Sequence, residues 1–161
     1  MVEDLVYDVV EQIDVAELLD FYQRQKHPTT QSLEKLQRMV DGTFCFVAAR
    51  RGGQLIGIAR GVTDGVRGQL VECKLDPAHQ GPGCVTKIDG RIEHDTEGIA
   101  REMALRVIHA LCDGGVERID VLAYGTEVDF CEELGFKKAP GLVPLVLETE
   151  GKPARSSGEP A

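Results

Sequence analysis

One long amphipathic helix between two strand-like segments constrains the fold more than any other feature of this sequence. The helix is predicted over GIAREMALRVIHALCDGG, residues 98–115. Its apolar residues form one continuous stripe at helical spacing: Ala100, Met103, Ala104, Val107, Ile108 and Leu111. The β-rich segments QLVECKLD and ERIDVLAY precede and follow it. Two strands joined through a helix pair in parallel, so we expect a parallel strand pair beside this helix.

The other segments predict a mostly antiparallel sheet with helices on both faces. DLVYDVV is β-rich, and DVAELLDFYQ and SLEKLQRMV are amphipathic helices. Residues 44–49 and 54–62 flank RRGG as a hairpin, and QLVECKLD is the next strand. A last helix over TEVDFCEELGF and a closing strand over LVPLVLE give the order β-α-α-β-β-β-α-β-α-β. We expect one α/β (α+β) domain over residues 1–148 and a mobile polar tail over residues 149–161.

Charge and composition limit the classes of partner. The 161 residues carry a formal net charge of −9, which argues against nucleic-acid binding because phosphate backbones need a basic face. No run of about 18 apolar residues occurs, so no membrane span is expected. The acidic start MVEDLVYDVV lacks the basic segment of a signal peptide, which favours a cytoplasmic location. An acidic chain favours a cationic substrate.

The cysteines and histidines do not form a metal-binding pattern. The five cysteines are scattered and contain no C-x-x-C pair, which indicates reduced thiols. The residues that come nearest to a zinc site are Cys73, His79, Cys84 and His94. Their spacing differs from that of zinc fingers and ribbons, so we expect no metal site.

Two short segments have the features of a phosphate-binding turn. Backbone N–H groups with little side chain around them bind anions, and a helix N-terminus adds its dipole. The first segment contains Gln80, Gly81 and Gly83, and the second contains Gly98, Ala100 and Arg101. Residues 85–94 between them alternate as a hairpin around Asp89-Gly90. The helix segment matters more, because its amides and dipole stay in place wherever the hairpin lies.

The acidic residues beside the second segment favour a different interpretation. Asp95, Glu97 and Glu102 would repel a phosphate, and acids in a first helical turn are what an ordinary helix start prefers. Ordinary helix capping is therefore the alternative to phosphate binding at this place.

The order of elements and three motifs resemble the GNAT superfamily of N-acetyltransferases. GGQLIGIARGVTD is similar to the family's G-x-L-x-G-x-x-x strand, and LVECKLDPAHQGPG to its V-x-P-x-x-Q-G-x-G strand and phosphate loop. VDFCEELGF is similar to its F-Y-x-x-x-G-F helix end. The resemblance runs from about Asp8 to Leu147. It implies a splayed central pair of parallel strands with acyl-coenzyme A between them, and transfer of an acyl group to an amine.

The resemblance also implies where acetyl-coenzyme A would be held. Pantetheine would pair with the backbone around Lys74 and Leu75, and the Leu75 N–H would polarise the thioester carbonyl. The pyrophosphate would meet the amides of the two phosphate-binding segments. The sequence departs from the family pattern here, because residues 84–97 form an insertion that splits the loop and Val85 stands at a position of the motif that holds a small residue.

Three carboxylates are candidates for the general base. Glu72 precedes the cofactor position and is the first candidate for the base that takes the proton of the amine; Asp64 and Asp76 are weaker ones. By strand alternation Glu72 shares a face with Lys74, and an exposed Glu–Lys pair is the alternative interpretation.

Two side chains are candidates for the acid that protonates the leaving thiolate. Cys131 stands where the family commonly has tyrosine, and it is either a proton donor or a small apolar filler. Tyr124, at the end of the preceding strand, could supply a hydroxyl instead, or pack on the last helix.

Together these features predict an N-acyltransferase that moves an acetyl group to an amine of a small molecule or peptide. The alternative is a catalytically inactive GNAT-like module that binds a coenzyme A derivative or a protein partner. A third alternative is a structural or oligomerisation domain whose hairpin insertion contacts another subunit, as in a homodimer.

Overall fold

The structure is a computed structural model that describes residues 4–25, 29–79 and 97–149. A mixed β-sheet forms its centre. Its strands in the described part of the chain are β1 (Leu5–Val9), β2 (Cys45–Arg51), β3 (Gln54–Thr63), β4 (Arg67–Leu75) and β5 (Arg118–Val121). They lie in the order β1-β2-β3-β4-β5. The first three pairings are antiparallel, and β4 pairs with β5 in parallel, which confirms the predicted mixed sheet.

Four α-helices lie in the described ranges: α1 (Val15–Arg24), α2 (Leu33–Asp41), α3 (Ile99–Asp113) and α4 (Val128–Glu133). Asp14 caps α1, since its Oδ1 accepts from the Ala16 N–H at 3.0 Å. Ser32 caps α2 in the same way through Lys35. The predicted long helix α3 is confirmed, and Gly98 at its start has a positive φ of 71°.

The sheet separates two hydrophobic clusters, which confirms helices on both faces. On one face α3 buries Met103, Val107 and Leu111 against β2, β3 and β4. On the other face Leu18 and Phe21 of α1, with residues of α2, cover the sheet. The predicted stripe on α3 is therefore its buried face, except that Ile108 is half-buried.

The hairpin between β2 and β3 has the turn chemistry that its sequence predicts. Gly52 and Gly53 have positive φ angles of 57° and 82°. Two successive residues with positive φ are the mark of a type I′ turn, whose twist matches that of paired strands. The turn fixes the register of β2 against β3.

The predicted closing strand over LVPLVLE is wrong. Residues 142–148 are exposed and belong to no strand among the described residues. Five apolar side chains of this segment are 64–91% exposed: Leu142, Val143, Leu145, Val146 and Leu147. The apolar run favours a strand, but a strand needs a neighbour to pair with, and none of the described strands pairs with this segment.

The predicted hairpin over residues 85–94, with the insertion over 84–97, lies outside the described residues, apart from Glu97. The same holds for the predicted tail after Thr149. None of the described helices is long and apolar enough to cross a membrane.

Candidate active site

The site begins where the parallel strands separate. β4 and β5 pair over four positions, from Arg67 opposite Arg118 to Leu70 opposite Val121. Beyond Leu70 the two strands no longer pair. The splayed parallel pair that the resemblance implies is therefore present.

A bulge in β4 lies at the point of separation. Arg60 of β3 pairs with Glu72, but Gly61 pairs with Leu70, so Val71 is an extra residue on β4. A bulge of this kind bends the strand that carries it and ends regular pairing. It accounts for the divergence of β4 from β5 immediately after Leu70.

The separated strands enclose a cleft of about 100 Å³. Its lining comprises residues 70–74 of β4, the end of β5 and the region of α4. Four predicted site residues line it together: Glu72, Lys74, Tyr124 and Cys131. Asp64 and Asp76, the weaker candidates for the base, are not among the lining residues.

Glu72 is the centre of a partly buried polar cluster that the sequence did not reveal. Its side chain is 15% exposed, and its Oε1 accepts a hydrogen bond from Arg60 Nε at 2.9 Å. The same oxygen accepts from the hydroxyl of Tyr22 on α1. Burial and the Glu72 charge raise the pKa of Tyr22, which keeps its proton on the hydroxyl. The partner of Glu72 is therefore Arg60 and not Lys74, so the exposed Glu–Lys pair is excluded.

The backbone groups of Lys74 and Leu75 point to opposite sides of β4. The Asp76 N–H donates to the Ile56 carbonyl at 2.7 Å, which identifies a hydrogen-bonded pair between β3 and β4. Because such pairs alternate, the backbone groups of Lys74 face β3 and those of Leu75 face away from β3, toward the cleft side. The side chains of Cys73 and Leu75 pack on the α3 face, and Cys73 Sγ lies 3.2 Å from the Ala100 carbonyl.

The two candidate proton donors have different surroundings. Cys131 on α4 is buried, with 7% exposure. Burial, with the nearby Glu127 charge as a smaller cause, raises the pKa of Cys131 to about 11. Tyr124 is 68% exposed and stands at the rim of the cleft.

The start of α3 carries the second predicted phosphate-binding segment. Ala100 is fully buried, and no side chain of the described residues caps the helix at Gly98. Arg101 is exposed. The role predicted for Gly98, Ala100 and Arg101 stays a prediction, and the first segment, with Gln80, Gly81 and Gly83, lies outside the described residues.

Two acids near this helix start are paired with arginines. Glu97 forms an ion pair with Arg51 of β2, and this bond lowers the pKa of Glu97. Glu102 pairs with Arg106 one turn along α3, at 2.8 Å. The acids alone predict repulsion of an anion at this place. Their pairing with arginines reduces that repulsion.

The remaining candidates have structural surroundings. Asp76 is buried, at 6% exposure, and holds Arg24 of α1 at 2.8 Å. Asp64 lies in the exposed turn between β3 and β4, where the Val66 and Arg67 amides donate to it and lower its pKa. Within residues 4–25, 29–79 and 97–149, no three metal-binding side chains come together. Cys84 and His94 lie outside the described residues.

A second, larger cavity of about 470 Å³ lies along β5, and residues of β5, α4 and the segment 136–144 line it. Among the lining residues of the two cavities, β4 contributes only to the smaller one. The predicted catalytic side chains other than Cys131 are absent from the lining of the larger cavity. The smaller cleft is therefore the candidate active site.

Comparison with family models and with curated proteins gives no match, whereas solved structures match over nearly the whole chain. A proposed acetyltransferase from Deinococcus radiodurans is 23% identical, with a TM-score of 0.64, over 94% of this chain and 95% of that chain. A GNAT-family acetyltransferase from Streptococcus pneumoniae is 16% identical, with a TM-score of 0.64, over 90% and 100%. An aminoglycoside N-acetyltransferase in complex with CoA is 11% identical, with a TM-score of 0.64, over 90% and 95%. The chain therefore has the fold of the GNAT acetyltransferases, as its sequence motifs predict.

Proposed function

We propose that this protein is an N-acyltransferase that moves an acetyl group from acetyl-coenzyme A to an amine of a small molecule or peptide. The observation that carries the proposal is the cleft between β4 and β5. It opens at a bulge, and Glu72, Lys74, Tyr124 and Cys131 line it. Structural neighbours that are acetyltransferases, one of them bound to CoA, support the same reaction class.

Glu72 takes the proton of the attacking amine in this proposal. An amine must be neutral to attack a thioester, and a carboxylate within hydrogen-bond reach can accept its proton. Arg60 and Tyr22 hold Oε1, and within the described residues no hydrogen bond engages Oε2. The base is therefore oriented by two fixed partners, with its second oxygen available for the proton.

Tyr124 supplies the proton to the leaving thiolate. Its hydroxyl belongs to an exposed side chain at the cleft rim, where solvent can return the proton after each turnover. The amine attacks the thioester carbonyl directly, the carbon–sulfur bond breaks, and the acetyl group stays on the amine. No covalent intermediate on the protein is required.

The acceptor is an amine that carries positive charge before it binds. The net charge of −9 and the Glu72 carboxylate in the cleft favour a cation electrostatically. Polyamines and aminoglycosides are therefore the first acceptors to test.

Binding and transfer are tested separately. Acetyl-coenzyme A at 100 times its dissociation constant should stabilise the protein by about 2.7 kcal/mol, which a thermal shift detects. Loss of the thioester in single-turnover mixtures with a panel of amines then measures transfer. Binding without thioester loss on any amine favours the inactive coenzyme A-binding module, and absence of both removes the proposal.

Glu72→Gln tests the base. It keeps the shape of the side chain and should lower kcat by about 10²- to 10⁴-fold, the usual contribution of a general base, while acetyl-coenzyme A still binds. Glu117→Gln is the matched control, because Glu117 is exposed and does not line the cleft. Circular dichroism checks that the variant is folded. An unchanged kcat in folded Glu72→Gln would assign the base elsewhere.

A further inference from the structure

Lys74 is a cation in the cleft to which the proposed reaction gives no role. Its side chain is half-buried and lines the cleft beside Glu72 and Glu127. Both acids have other partners: Arg60 holds Glu72, and Glu127 accepts the Tyr124 N–H at 2.9 Å. In the described part of the chain the ammonium group of Lys74 forms neither a hydrogen bond nor an ion pair. Partial burial of a charge without a partner costs free energy, which an anion bound beside Lys74 would offset.

The Lys74 side chain lies on the face of the sheet opposite α3. Lys74 pairs with Ile58 of β3, and Ile58 belongs to the hydrophobic cluster that α1 and α2 cover. Side chains of directly paired residues share a face, and Glu72 is on that face because it is two residues away along β4. The start of α3 packs on the other face, where Cys73 Sγ lies 3.2 Å from the Ala100 carbonyl. Lys74 therefore lies on the side of the base and away from the predicted diphosphate segment.

We propose, on the basis of the proposed function, that Lys74 binds a carboxylate of the acceptor, so that the acceptor is a small amino acid. Glu72 and Lys74 do not pair with each other, and alternate residues of a strand are about 7 Å apart. The amine of an amino acid can hydrogen-bond Glu72 Oε2 while its carboxylate hydrogen-bonds Lys74 Nζ, each at about 2.8 Å. A zwitterion whose two charges are separated by about one or two carbon atoms fills the space between these side chains.

The size and lining of the cleft favour the same class of acceptor. Its volume of about 100 Å³ is small beside the roughly 300–1,000 Å³ of pockets that enclose drug-sized ligands, so it holds the amine and the atoms next to it. Leu122 and Tyr124 line it and are 65% and 68% exposed, so an apolar substituent of the amino acid would lie against them. The net charge of the protein attracts amines of every kind, and Lys74 then discriminates among them.

Acceptors that differ only in the carboxylate test the proposal directly. The common amino acids and β-alanine are screened for acetyl transfer, and each active one is compared with its amide. The kcat/KM of the amino acid should exceed that of its amide by about tenfold or more, as expected for a hydrogen bond to a charged group. The amine of the amide loses its proton more readily, because it lacks the nearby negative charge. Intrinsic reactivity therefore works against the expected preference, and an equal or higher kcat/KM for the amides would overturn the proposal.

Lys74→Met removes the charge and keeps an extended side chain. It should reduce the preference for the amino acid over its amide to about one, chiefly by raising the KM of the amino acid, whereas Lys74→Arg should retain the preference. The ratio is measured within each variant, so a general loss of activity cancels. Lys35→Met is the matched control, because Lys35 is exposed on α2 and does not line the cleft. An unchanged ratio in Lys74→Met, or an equal decrease in Lys35→Met, would contradict the role of Lys74.

Binding measurements separate the role of Lys74 from the proposed function. Thermal shifts with an amino acid or its amide, with and without coenzyme A, report acceptor binding without chemistry. Binding of the amino acid that depends on Lys74, without acetyl transfer to any amine, supports the role of Lys74 and removes the proposed function. Transfer only to amines without a carboxylate, such as spermidine or kanamycin, supports the proposed function and overturns the role of Lys74. Neither binding of nor transfer to any amino acid also overturns it.

Discussion

At the scale of single residues, the raised pKa of Cys131 argues against this thiol as the proton donor. Cys131 stands where the family commonly has tyrosine, but its pKa is raised to about 11. An ordinary thiol has a reference pKa of about 8.5, so transfer from Cys131 to a coenzyme A thiolate would be uphill by about 3 kcal/mol. Burial and a raised pKa favour the alternative interpretation of Cys131, a small apolar filler. This leaves Tyr124 as the proposed donor.

The order of cysteine alkylation checks this interpretation. At about pH 8 only about 0.1% of a thiol with a pKa near 11 is thiolate, so iodoacetamide should modify Cys131 slowly. Cys112 is exposed and should react first. Peptide mass spectrometry over a pH series follows each site, and Cys112→Ser removes the fast reaction as a control. Equal rates at the two cysteines would contradict the raised pKa.

The cluster around Glu72 was beyond prediction from the sequence for a physical reason. Counting back from the turn between β3 and β4 without interruption places Arg60 opposite Val71. The bulge shifts the register by one residue, so that Arg60 pairs with Glu72 instead. A bulge depends on tertiary packing and leaves no clear local signal. Tyr22 belongs to the predicted amphipathic helix DVAELLDFYQ, but its contact with Glu72 depends on how that helix crosses the sheet.

At the scale of elements, the close approach of α3 to the sheet depends on glycines in β3. A Cβ atom at Gly61 would lie 2.6 Å from Val107 Cγ1 and 3.2 Å from Leu111 Cδ1. A Cβ atom at Gly57 would meet Met103 Cε at 2.7 Å. These glycines allow α3 to lie directly on the strands that lead to the cleft.

Gly61→Ala should therefore destabilise the protein by about 1–3 kcal/mol, the usual cost of overpacking a core. Urea unfolding measures the change. Gly125→Ala is the control, because a Cβ atom there meets no atom within 4 Å, and it should change stability by less than about 0.5 kcal/mol. If Gly61→Ala is as stable as the natural chain, α3 can move away from the sheet without loss.

The helices and strands show which sequence patterns are sufficient to predict an element. The stripe on α3 and the glycine pair at the β2–β3 turn are local patterns, and both predictions are confirmed. The prediction of a closing strand was wrong because LVPLVLE has the composition of a strand, whereas strand pairing depends on parts of the chain that are distant in sequence. Glu72, Lys74, Tyr124 and Cys131 were each predicted as site residues, and they line one cleft; their roles stay predictions.

At the scale of the whole molecule, carboxylates with lowered pKa values connect separate parts of the fold. Arg50 of β2 hydrogen-bonds Glu17 of α1 at 2.7 Å through two nitrogens, which is the main cause that lowers the pKa of Glu17. Glu97 is held in the same way by Arg51. A group whose folded pKa is lowered stabilises the fold above its unfolded pKa, and this stabilisation is lost as pH falls through the folded value.

The free energy of unfolding should therefore fall as pH drops below about 4.5, the region where unfolded carboxylates take up protons. Glu17→Gln should make this decrease smaller, because the variant has no Glu17 proton to gain. Urea unfolding at neutral and acid pH gives the two values. Glu11→Gln is the control, since Glu11 has no ion pair among the described residues. An unchanged pH dependence in Glu17→Gln would show that the ion pair contributes no net stability.

The two strands that form the cleft are paired within the sheet to different extents. β3 pairs with β4 along its length, whereas in the described part of the chain β5 pairs with the sheet at four positions. A bulkier substituent on the sulfur of the donor would therefore displace β5 together with α4 and leave β4 where it is. The range of acyl lengths that this protein accepts would then be set by the freedom of its last strand.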